Sequence, residues 1–151
     1  MLYRLFTHDA WANGEALCSL RALAAPPEAA VRWLAHIAGA QEVWWGRLQE
    51  PVVPAVVWPE YGLDETATAL ETMAGRWRSL LTELGPGDLA RPVVYANARG
   101  DRFENTAGDI LTQVLLHGGY HRGQIAAAVR AAGGTPALTD FIHAVRTGAL
   151  G

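Results

Sequence analysis

Apolar residues recur at helical spacing over most of the chain, and proline or glycine stands where that spacing breaks. The first run extends from Leu2 to about Leu23 and carries Leu2, Leu5, Phe6, Ala12, Ala16 and Leu20 on one stripe, with Pro26-Pro27 ending it. A second begins near Glu28 and stops before Pro51, its inward stripe drawn through Trp33, His36, Ile37, Ala40, Val43 and Leu48. The third follows Asp64, read as an N-cap with Leu63 as staple, and continues through Leu70, Met73, Trp77, Leu80, Leu81 and Leu84 to Gly85-Pro86-Gly87. The fourth has the sharpest limits: Thr106-Ala107-Gly108-Asp109 has the form of a capping box, and Gly133-Gly134 with Pro136 supplies the stop.

Between the third and fourth runs, Arg91 to Glu104 predicts a small β-hairpin turning at Asn97-Ala98-Arg99-Gly100-Asp101. Its Arg-Gly-Asp triplet reads as an ordinary turn. A short last helix is expected over Leu138 to Arg146. The connection from Glu50 to Leu63 carries Pro51, Pro54 and Pro59 and exceeds the links that join antiparallel neighbours in a bundle. In extended form its roughly 43 Å reach exceeds the length of the preceding helix. The expectation is an all-α fold: one domain over residues 1–151, a four-helix bundle in up-down-down-up order. A long crossover joins helices two and three, a hairpin precedes helix four, and a short C-terminal helix follows it.

Composition narrows the function. The chain of 151 residues is 50% hydrophobic and 18% charged, enough apolar mass for one core. Its twelve cations, all arginine, face fifteen carboxylates for a net charge of −3, which argues against a nucleic-acid partner. The single cysteine, Cys18, excludes an intrachain disulfide and any multi-cysteine metal site, and is read as a small apolar filler. No signal-peptide pattern or membrane-length apolar run occurs, so a cytoplasmic protein without a membrane partner is expected.

Two of the five histidines, His117 and His121, stand four apart in the best-defined helix, about 40° from one another on its surface. They continue the stripe of Ile110, Val114, Ile125 and Ala128, so both rings point inward. Burying two imidazoles at one level of an apolar seam is costly unless a partner satisfies both, and a metal ion does so. His36, inward and near the middle of helix two, is the best third ligand. His8, beside the first stripe, and His143 in the terminal helix are weaker candidates. Three imidazoles without a fixed fourth protein ligand describe an open site that takes a water or substrate. Small residues surround it: Gly39 and Ala40, and Gly118-Gly119. Gly118 stands where an HExxH metalloprotease has its glutamate, and no Glu-x-x-His motif supports a di-iron bundle. Asp9, His8, Glu42 and Tyr120 are candidate general bases, none fixed by spacing. Gln113 and Gln124 are candidate acceptors for imidazole N–H groups. Arg122 is expected to lie off the inward face, and Trp58 and Tyr61 to cover a pocket or a dimer contact.

Three segments together resemble the DinB/YfiT-like family: His8-Asp9-Ala10-Trp11-Ala12-Asn13, His36 through Trp44, and His117-Gly118-Gly119-Tyr120-His121-Arg122-Gly123-Gln124. Asp140-Phe141-Ile142-His143 is similar as well. The resemblance implies the same bundle topology, a His36, His117, His121 triad holding a divalent ion, commonly zinc or nickel, and frequent homodimers. It further implies a small-molecule substrate and a low-molecular-weight thiol co-substrate such as bacillithiol, mycothiol or glutathione, since characterised relatives include thiol-dependent transferases and isomerases. A thiol-dependent S-transferase acting on small electrophiles is the leading expectation. A metal-dependent hydrolase and a non-catalytic metal-binding stress-response bundle are the alternatives.

Overall fold

Helical spacing becomes helix in all four places. In the structure, a computed structural model describing residues 1–151 except Pro51, Pro86 and Ala98, the long helices are α1 (Leu2–Arg21), α2 (Glu28–Arg47), α3 (Leu63–Glu83) and α4 (Ala107–Ala131). Strands β1 (Pro92–Ala96) and β2 (Arg102–Thr106) precede α4, and α5 (Phe141–Arg146) closes the chain. The expected stop at Pro51, and the Pro86 and Ala98 positions of the two predicted turns, lie outside the described residues.

The capping box of α4 forms as its sequence requires: Thr106 Oγ1 accepts from Asp109 N at 3.1 Å while Asp109 Oδ2 accepts from Thr106 N at 3.1 Å. The N-cap of α3 differs from expectation. It falls on Gly62, whose N–H donates to Glu65 Oε2 at 2.8 Å, and Asp64 is turned outward to the guanidinium of Arg21. The strands pair antiparallel from Pro92 opposite Thr106 to Ala96 opposite Arg102, as a Gly-turn hairpin should. The last helix starts at Phe141, three residues later than predicted.

α2 packs chiefly on α4 and α1 on α3, with α1 also against α4 and α2 against α3. Two apolar clusters result. One gathers Phe6, Met73, Trp77, Val93, Ile110 and Val114; the other gathers Ala16, Leu20, Leu34, Ile37, Ile125 and Val129. Along α1 the first cluster ends at Phe6 and the second begins at Ala16. Along α4 the same gap runs from Val114 to Ile125. Of the buried polar side chains, Asp9, Asn13, His121 and Arg122 fall in these gaps and Gln41 between Ile37 and Leu48 on α2, while His36 borders the second cluster between Leu34 and Ile37 and Thr66 lies on α3. A polar layer therefore interrupts the core at mid-height, and it contains the candidate chemistry.

From Leu34 to Gln41 every residue of α2 is buried, broader than one amphipathic stripe. The cause is the α2–α3 connection, which runs back along α2: Val53 N donates to Gly46 O, and the Val56 and Val57 carbonyls lie against Gly39. A Cβ on Gly39 would stand 2.5 Å from Val56 O and 2.8 Å from Val57 O, so only glycine admits this approach.

Candidate metal centre

His36, His117 and His121 converge, each offering a ring nitrogen within 4.8 Å of the others. His117 Nε2 stands 3.0 Å from His36 Nε2 and 3.1 Å from His121 Nε2. The outer nitrogens have acceptors. His36 Nδ1 faces Val57 O at 2.9 Å and His121 Nδ1 faces Gln124 Oε1 at 2.6 Å. A neutral imidazole carries one N–H, so donating it through Nδ1 leaves the Nε2 of both His36 and His121 as bare acceptors turned inward. His117 has one proton to offer and cannot satisfy both. The cluster thus carries more facing lone pairs than protons, an arrangement a cation resolves.

Electrostatics favour the ligating form. Burial, then the neighbouring rings of His121 and His36, lower the pKa of His117 from 6.5 to about 4. Burial likewise lowers His36, against the raising effect of its bond to Val57. Trp58 lies flat on His36, ring centres 3.6 Å apart and planes within 9°, so the crossover both orients this imidazole and covers it.

Beside the histidines lies a network that the sequence reading missed. Arg122, expected off the inward face, is 6% exposed and donates through Nη1 to Asp9 Oδ1 at 2.6 Å and to Asn13 Oδ1 at 2.7 Å. Asp9 Oδ2 accepts from Asn13 Nδ2 and Gln41 Nε2, and Gln41 Oε1 accepts from Trp77 Nε1. All four long helices contribute. Gly118 makes room for it, since a Cβ there would stand 2.7 Å from Asp9 Oδ1 and 2.9 Å from Arg122 Nη1. α4 is buried over a wide arc because α2 covers the side bearing His121 and α1 the side bearing Arg122, about 100° further round. The signal available in the sequence was Asp9 itself, a charge inside the apolar stripe of helix one, with Asn13 four residues on.

With both carboxylate oxygens engaged, Asp9 is part of the scaffold and not a free base. His8 Nε2 faces Thr139 O at 2.8 Å and its ring packs edge-on against Phe141, so it anchors the C-terminal segment. His143 packs near Trp11, away from the cluster. Gln124 serves the predicted role, but Gln113 is exposed. Cys18 is exposed and fills no core. The Tyr120 ring stands 5.1 Å from that of His121 and is 66% exposed. No helix among the described residues is long and apolar enough to cross a membrane.

Fold and site together define a mostly helical protein with a small two-stranded sheet and a cluster of three histidines, two buried and one half-buried, that could hold a metal ion. The DinB family model matches residues 19–147 of the 151, and the chain belongs to the DinB family. The match includes all three histidines and begins after the Asp9 and Asn13 segment. None of the curated proteins compared matches the chain, and neither does any of the solved structures.

Proposed function

We propose that His36, His117 and His121 bind one divalent cation, zinc or nickel, with an open coordination position, and that the protein is a thiol-dependent S-transferase acting on small electrophiles. The observation that carries the metal assignment is the convergence of three Nε2 atoms, of which those of His36 and His121, with Nδ1 on Val57 O and Gln124 Oε1, turn lone pairs inward. A cation held there supplies a strong nucleophile at neutral pH by favouring the thiolate of a low-molecular-weight thiol. The chain's own residues hold the tautomers, keep His117 unprotonated through burial, and fix the His36 ring under Trp58. That the family it resembles includes thiol-dependent transferases favours transfer over hydrolysis, which would use the same ion to activate water.

The four long helices are read as an up-down-down-up bundle in one domain, 1–151. Support comes from the crossover, which returns along α2 from Val53 at Gly46 to Trp58 at His36, and from the Arg21–Asp64 pair linking the end of α1 to the start of α3. A cytoplasmic homodimer completes the reading, and light scattering checks the dimer. The activity test incubates zinc- or nickel-loaded protein with bacillithiol, mycothiol or glutathione and a panel of electrophiles. Metal-dependent thioether formation, lost in His117→Ala, is expected. Hydrolysis of ester or amide substrates without thiol turnover would establish the hydrolase instead.

A further inference from the structure

A second feature lies where the crossover runs past the C-terminal end of α2. Residues 52–57, the outer end of α2 and the hairpin enclose a groove of about 590 Å³, walled by Val43, Val53, Val94 and Tyr95 and carrying Arg47 and Arg102. This is the size range of sites for small organic ligands. Among the described residues no aspartate or glutamate lines it. Asp101, next to Arg102, has its carboxylate on the Asn97 amide at 2.9 Å.

Arg47 is held in an unusual way. Its guanidinium carbon lies 4.4 Å from the ring centre of Trp44 and 4.3 Å from that of Tyr95, in the corner of two rings set at 82° to each other, and burial lowers its pKa. Among the described residues its one polar contact is a long bond of 3.5 Å to Ala96 O. Among the described residues neither Arg47 nor Arg102 has a carboxylate within 4 Å, whereas Arg21, Arg91 and Arg122 do. A half-buried cation without a counter-charge on the wall of an apolar groove is costly unless an anion enters. Aromatic faces stabilise the cation but offer its N–H donors no oxygen acceptor.

We infer that this groove binds an amphiphilic organic anion, its carboxylate or sulfonate on Arg47 and Arg102 and its apolar body along Val43, Val53 and Val94. None of the three histidines lines the groove, so binding there should not depend on a metal at the cluster, although the same crossover walls the groove and contributes Val57 to His36.

The test is fluorescence titration of the folded protein with the aryl sulfonate 8-anilinonaphthalene-1-sulfonate, displaced by decanoate or by the uncharged decanol. Saturable binding is expected, with decanoate at least about tenfold the better competitor. Arg47→Gln and Arg102→Gln should each weaken decanoate about tenfold while leaving decanol unchanged. Ala55→Trp, which fills the groove, should abolish binding of both. Should Arg47→Gln loosen the hairpin and lower the melting temperature, Arg102→Gln alone carries the comparison. Chelator-treated protein should bind decanoate as well as metal-loaded protein does. Equal competition by decanol and decanoate, insensitivity to Arg102→Gln and Ala55→Trp, or loss of decanoate binding on chelation would each overturn the assignment.

Discussion

Gln124 and Arg122 are two residues apart in sequence and act on different parts of the polar layer. Gln124 accepts from His121 and should act on the metal alone. Gln124→Ala is expected to lower metal affinity about 10- to 100-fold in competition with a chromophoric chelator, leaving the metal-free melting temperature nearly unchanged. Arg122 neutralises the buried Asp9, so Arg122→Ala strands a carboxylate in the core and should cost about 3–5 kcal/mol in urea unfolding. Adding Asp9→Leu should recover part of that loss; a double variant no more stable than Arg122→Ala would contradict the pairing. The histidines were legible because polar rings at core spacing on two helices stand out against Ile110, Val114 and Ile125. Arg122 was not, because spacing shows where a stripe runs but not how many neighbours cover the helix, and two neighbours cover α4.

Elements ended where local chemistry dictated. Thr106-Ala107-Gly108-Asp109 encodes its own cap, and Thr106→Ala should cost about 1 kcal/mol. The N-cap of α3 falls on Gly62, whose N–H is taken by Glu65 three residues on, while Asp64 pairs with Arg21, forty-three positions away in sequence, a pairing no local pattern reveals. The crossover was legible as a length and as a proline-stiffened segment, but its path was not. That path depends on Gly39, where a methyl group would push against the Val56 and Val57 carbonyls. Gly39→Ala is therefore expected to lower both the melting temperature and metal affinity, since it displaces the acceptor of His36. A variant that loses stability and keeps full metal affinity would show that Val57 does not orient the ligand.

For the whole molecule, the histidine cluster ties stability to pH. The metal-free fold holds His117 at about 4, whereas the unfolded chain returns it to 6.5. Between those values the unfolded state binds more protons, so stability is fully present above pH 6.5 and is lost as pH falls towards 4. His36, lowered in the same direction, adds to the effect. The melting temperature of metal-free protein should fall across this window, and His117→Gln should flatten the fall. The most informative measurement is elemental analysis of protein purified without a polyhistidine tag, beside His36→Ala, His117→Ala and His121→Ala. About one zinc or nickel per chain, lost in each variant while all three stay folded, is the predicted result. Folded protein that takes up neither metal even on reconstitution would contradict a metal centre at these histidines.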